Sequence, residues 1–70
     1  MQRFYCPSEN ISKEKISIGD KNQIHHIKNV LRCKVGKEIA VFDERGNTYF
    51  GVIEKFLPQN LIIKIKQKSG

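Results

Sequence analysis

Residues 25–36 read HHIKNVLRCKVG and hold most of the side chains with which this 70-residue chain could do chemistry. Both histidines, His25 and His26, stand here beside Lys28, Arg32, Lys34 and the thiol of Cys33. Such a set is open to metal ligation, to proton transfer or nucleophilic attack, and to the gripping of an anion. Metal ligation is disfavoured. Adjacent helical residues point about 100° apart, so two neighbouring imidazoles do not readily share one ion. Four residues beyond each histidine stand Asn29 and Val30, not a carboxylate, and Cys6 and Cys33 match no zinc spacing. A small ribonuclease using His25 and His26 would need both imidazoles on one face, and the same geometry opposes it. No serine or cysteine is set beside a base as a nucleophile, and Cys33 has only nearby cations to activate it. No catalytic residue and no metal ligand is therefore expected in this chain. Nor does a glycine-rich loop follow a parallel strand, so no cofactor is expected either.

Anion binding fits better. On a helical wheel, His25, Lys28, Asn29 and Arg32 recur at i, i+3, i+4 and i+7 and form one polar, cationic stripe. Ile24, Ile27, Val30 and Leu31 fill a separate arc that should pack on the core. His26 lies beside Val30 at the edge of that arc, and it is expected to be packed and hydrogen-bonded. Arg32, Lys34 and Lys37 gather at the helix end, where cations compensate the dipole. Dipole compensation does not require Lys28 and Arg32 to carry the charge up the exposed face.

The net charge of +6 is uneven. Residues 1–37 carry eight cations and three anions, whereas residues 38–70 carry five and four. A basic first half points to a polyanion, most often nucleic acid. No apolar run is long enough to cross a membrane. The N-terminus MQRFYCPSEN lacks the apolar core of a secretory signal, so the expected setting is cytoplasmic, with free thiols.

These side chains need a scaffold. RFYC (3–6) reads as a short strand stopped by Pro7. KISI (15–18) alternates and ends at Gly19. Asp20 offers an N-cap with Gln23 placed as in a capping box, and the helix should run over about 21–32. Gly36 closes the following turn. EIAVFD (38–43) reads as a buried strand, and ERGN supplies a turn with Gly46 or Asn47 at positive φ. TYFGVIEKF (48–56) reads as a long strand in which Gly51 marks a bend or bulge. In LIIKIKQK (61–68), Leu61, Ile63 and Ile65 should face inward and Lys64, Lys66 and Lys68 outward. Tyr5 and Tyr49 are expected in the core, with base stacking as the alternative use of either ring. Five short strands and one helix predict a mainly β fold: a small barrel capped by a short α-helix.

The segments RFYCP and HHIKNVLRCKVGKEIAVFDERGNTYFGVIEKF resemble the N-terminal domain of the RsmE family of ribosomal RNA methyltransferases. The residues that carry the resemblance are Arg3, Phe4, Tyr5 and Pro7; His26, Lys28, Val30, Leu31 and Arg32; and Val35, Gly36, Phe42, Asp43 and Gly46. The resemblance spans almost the whole chain. It implies a PUA-like β-barrel that binds RNA. In the family, a second, knotted domain holds S-adenosylmethionine and methylates N3 of a uridine in small-subunit (16S) ribosomal RNA, and the protein is a homodimer. That domain would begin beyond residue 70. The chain is thus expected to be one RNA-binding domain, 1–70, without cofactor or catalysis of its own. The expected RNA contacts are Arg3, His25, His26, Lys28, Arg32 and Lys34. The runner-up is a small protein-interaction or dimerisation barrel whose charge is incidental.

Overall fold

Strands form where β-branched residues cluster, and turns fall where glycine or asparagine interrupts them. In the computed structural model, which describes residues 3–69, five strands follow one another. They are β1 (Arg3–Tyr5), β2 (Lys15–Ile18), β3 (Glu38–Phe42), β4 (Thr48–Phe56) and β5 (Leu61–Ser69). Helix α1 (Lys21–His25) runs on into a π-helical turn, His26–Val30, and a 3-10 turn occupies Ser8–Asn10. The sheet order is β1-β3-β4-β5-β2. Among the described residues only the β1–β3 pair is parallel, with Arg3 opposite Ala40. The sheet curls into a half-barrel, as a PUA-like fold requires.

Its inner face is apolar. Phe4, Ile39, Val41, Tyr49, Ile53, Leu61, Ile63, Ile16 and Ile18 are buried there, and Ile27 and Cys33 close over them from the helix and the segment after it. Ile24 and Leu31 are half-buried against the same cluster.

The curl has a local cause. β4 and β5 lose register between Phe50 and Gly51 and again between Ile53 and Lys55. A β-bulge adds a residue on one strand and sharpens its twist. At Gly51, a Cβ would collide with the carbonyl oxygen of Lys64, so glycine is what lets β5 approach. The bulge also corrects the expected lysine face. Tyr49 pairs with Lys68 and Gly51 with Ile65, which leaves Lys66 as the extra residue. Lys64 stays on the outer face, paired with Val52 and Lys15. Lys68 is carried to the inner side, its Nζ 5.7 Å from the Tyr49 ring centroid. Lys64, Lys66 and Lys68 are exposed but do not form one face.

Turn chemistry follows the sequence. Gly36 and Gly46 take φ of +93° and +85°. Between β3 and β4, the buried Asp43 carboxylate accepts hydrogen bonds from the backbone N–H groups of Arg45 and Asn47, both at 2.9 Å, and from Tyr49 Oη at 3.3 Å. Burial works to raise its pKa, but the hydrogen bonds from Asn47, Arg45 and Tyr49 outweigh it and hold the carboxyl below its ordinary value. The neighbouring Glu44 accepts from Ser8 Oγ at 2.6 Å and Ser8 N–H at 2.9 Å, and these bonds lower its pKa. They tie the 3-10 turn to the β3–β4 turn. Both cysteines are buried and free; desolvation, helped by Glu44, pushes the Cys6 thiol up to about 11.

Candidate nucleic-acid interface

The helix is where sequence and structure part. Asp20 caps it as expected, accepting from the N–H groups of Asn22 and Gln23. Gln23 does not complete a capping box. Its Nε2 donates to the Tyr5 carbonyl at 2.7 Å and anchors the first turn to β1. Regular α-helix ends at His25, and the next turn is wider, with Leu31 N–H donating to the His26 carbonyl at 2.9 Å. An i→i+5 turn advances less per residue than an α-turn. A wheel drawn at constant pitch therefore fails past His25. Val30, expected in the core, is 59% exposed. His26, expected to be packed, is exposed as well. Ile27 keeps its place and is fully buried.

The helix ends at residue 30 instead of 32, on an unusual residue. Arg32 has φ of +54°, and no other described non-glycine residue has positive φ. Cys33 N–H then donates back to the Ile27 carbonyl at 2.9 Å, closing the end in the manner of a Schellman motif with one residue added by the π-turn. The left-handed position is ordinarily glycine, because a Cβ there costs roughly 1–2 kcal/mol. Strain of this kind and π-turns both concentrate at functional sites.

The reversal at Arg32 folds the chain around an open depression of about 540 Å³, lined by Lys28, Asn29, Arg32, Cys33, Lys34, Val35 and Phe56. Lys28 Nζ lies 5.8 Å from the Phe56 ring centroid. A smaller hollow of about 230 Å³ continues from Lys28 and Asn29 past His25 to Pro58 and Gln59. Asn29 Nδ2 stands 3.1 Å from His25 Nδ1. The two hollows share Lys28 and Asn29, so His25, Lys28, Asn29 and Arg32 form the continuous stripe that the sequence predicts, and Lys34 joins it.

The cations of this stripe are uncommitted. Among the described residues the salt bridges are Lys15–Glu54 at 3.0 Å and Arg45–Glu44 at 4.0 Å. Neither engages Lys28, Arg32 or Lys34. The other two expected contacts lie apart. Arg3 is exposed on the outer face of β1, opposite Ala40, whereas the helix covers the inner face. His26 is exposed but lines neither hollow. Tyr49 is buried as expected; Tyr5 is exposed instead, with its ring edge-on to Phe42 at 5.6 Å. The sequence reading missed Val35 and Phe56 at the site. Val35 is 62% exposed, and the signal available in the sequence was an apolar residue set between Lys34 and the turn glycine Gly36. Among the described residues no cluster of three or more metal-ligating side chains occurs, and no helix is long and apolar enough to cross a membrane.

A family model described as the RNA methyltransferase PUA domain matches residues 18–66. No curated protein matches the chain. Among solved structures, the chain is similar to a ribosomal RNA small subunit methyltransferase E from Neisseria gonorrhoeae bound to S-adenosyl methionine, with a TM-score of 0.77 and 28% identity. That match covers 99% of this chain and 28% of the other. A probable rRNA-methyltransferase from Porphyromonas gingivalis matches with a TM-score of 0.76 and 23% identity, over 99% of this chain and 27% of that one. A protein from Thermotoga maritima described as a predicted RNA methyltransferase gives 0.82 and 22%, over 99% and 30%. At these last two identities the likeness speaks for the fold. The chain spans less than a third of the length of each of these proteins.

Proposed function

The chain belongs to the RNA methyltransferase PUA domain family, and from that premise we propose that it is the RNA-binding domain of a ribosomal RNA methyltransferase. The observation that carries this reading is the stripe of Lys28, Arg32 and Lys34, without salt bridges among the described residues, around a concave surface with His25 beside it. Phosphates of the RNA lie on Lys28, Arg32 and Lys34, and His25 donates to phosphate or sugar from the adjoining hollow. Arg3 and His26 serve as flanking contacts of an RNA longer than the depression. Phosphate contacts of this kind fix the position of the RNA and leave its sequence to be read elsewhere.

The parent enzyme, on this proposal, methylates N3 of a uridine in small-subunit ribosomal RNA and acts as a cytoplasmic homodimer. Its methyl donor is S-adenosylmethionine, as in the Neisseria structure. The depression does not suit that cofactor. The sulfonium of S-adenosylmethionine is a cation, and the lining brings three more cations and no carboxylate for the ribose hydroxyls. Cofactor and chemistry are assigned to a separate methyltransferase domain of the parent, and this domain holds the RNA for it.

A second reading has one observation in its favour. Tyr5 and Phe42 form an exposed aromatic pair on the outer sheet face, as a surface that docks a protein partner or a second subunit would. Salt separates the two. Titration of a labelled small-subunit ribosomal RNA fragment at several salt concentrations should show log affinity falling linearly with log salt, with a slope of about 0.7–0.9 per phosphate neutralised. Salt-independent binding, or none, would favour the docking reading.

A further inference from the structure

The depression at the helix end is lined by both cationic and apolar side chains. Lys28, Arg32 and Lys34 supply the charge, whereas Val35 and the half-buried Phe56 present hydrocarbon between them. Val35 is 62% exposed and lines the depression together with the half-buried Phe56, so the two offer a small apolar surface among the cations. Phe56 already shows what its ring face attracts, since Lys28 Nζ lies 5.8 Å from its centroid. No carboxylate lines the depression. Its chemistry therefore selects a ligand with a flat, apolar middle and negative charge on either side. One nucleotide of a single strand answers that description. A base paired inside a duplex does not, because its faces are covered by its neighbours.

We propose that the depression is a nucleobase subsite. One unpaired base stacks on Phe56 and rests against Val35, with its flanking phosphates on Arg32 and Lys34. Lys28 swings on its flexible stem from the ring to a phosphate as the base enters. The left-handed Arg32 then has a geometric purpose. The reversal there makes Lys34 and Val35 line the same depression as Lys28. This inference rests on the RNA-binding reading and adds that the domain prefers unpaired, base-bearing strands.

The test compares two probes, oligouridylate and a strand of the same length with abasic sugars, bound to the wild-type chain, to Val35→Ser and to Phe56→Leu. Stacking on an aromatic side chain accounts for roughly 1–3 kcal/mol per base, so wild type should bind the abasic strand about 5- to 150-fold more weakly. Both variants should lose affinity for oligouridylate by about threefold or more. They should leave the abasic strand and the salt slope unchanged. Val35 is exposed, so its serine variant reads out the site even if Phe56→Leu fails to fold. Equal binding of the two probes to wild type, with a steep salt slope, overturns the base subsite and leaves the phosphate reading intact. Equal losses on both probes in Val35→Ser also overturn it. Failure of wild type to bind either probe with salt dependence removes the RNA-binding reading itself.

Discussion

Replacing Arg32 with glycine should stabilise the protein while weakening its hold on RNA. Arg32 sits at φ of +54°, where an L side chain costs roughly 1–2 kcal/mol. Glycine adopts that conformation freely but loses more backbone entropy on folding, about 0.5–1 kcal/mol. The side chain is exposed and makes no ion pair among the described residues, so little else is lost. The net gain is about 0.5–1 kcal/mol. For a domain of this size, 1 kcal/mol moves Tm by about 4–8 °C, so Arg32→Gly should melt roughly 2–8 °C higher. It should also bind ribosomal RNA more weakly, with a salt slope flatter by about 0.7–0.9 for one lost phosphate contact. Calorimetry and a salt titration on the same samples give both numbers. A lower Tm would mean that Arg32 makes a stabilising contact that offsets its backbone strain. An unchanged slope would mean that Arg32 is strained for some purpose other than RNA.

Three further outcomes follow from the packing. Ile27→Ala should cost about 2–5 kcal/mol in denaturant melts, because Ile27 is fully buried, whereas His26→Ala, at an exposed position, should stay within about 0.5 kcal/mol. Gly51→Ala should destabilise by about 1–3 kcal/mol or more, since its Cβ meets backbone at Lys64 and the bulge must open; a neutral result would contradict the close β4–β5 approach. Acid should unfold the protein through Asp43 and Glu44. Their folded pKa values are depressed, so their stabilisation is present above the unfolded carboxyl values of about 3.9 and 4.3 and is lost as pH falls through the lower folded values. Asp43→Asn should flatten the pH dependence of Tm in that range.

The strands were legible because their signals are local. Alternation in Leu61–Ile65, the turn residues Gly36 and Gly46, and the interior glycine of β4 each act within a few residues, and the strand boundaries follow them closely. The cationic stripe was legible in part: His25 and Lys28 lie about one turn apart on the helix, whereas Arg32 and Lys34 reach the same depression through the left-handed reversal after it. What the sequence did not show comes from departures from regular geometry. A helical wheel assumes one pitch, and the π-turn at His26–Val30 breaks it, which moved Val30 and His26 into solvent. The bulge at Lys66 breaks the two-residue period in the same way and separates Lys68 from Lys64. Phe56 joins the site only through tertiary packing, because β4 delivers it beneath Lys28 from the far side of the sequence. Arg3 failed to join the patch for a topological reason: parallel pairing with β3 puts it on the sheet face away from the helix.

The central claim is that RNA lies on the stripe at the helix end. Its most direct test is the salt dependence of binding to a labelled small-subunit ribosomal RNA fragment, measured for wild type and for a double variant with Lys28→Gln and Arg32→Gln. Two lost phosphate contacts should weaken binding and flatten the slope of log affinity against log salt by roughly 1–2 units, with the melting temperature not lowered. A double variant that keeps the wild-type slope would place the RNA elsewhere, with the outer sheet face around Lys15 and Lys64 as the next surface to probe.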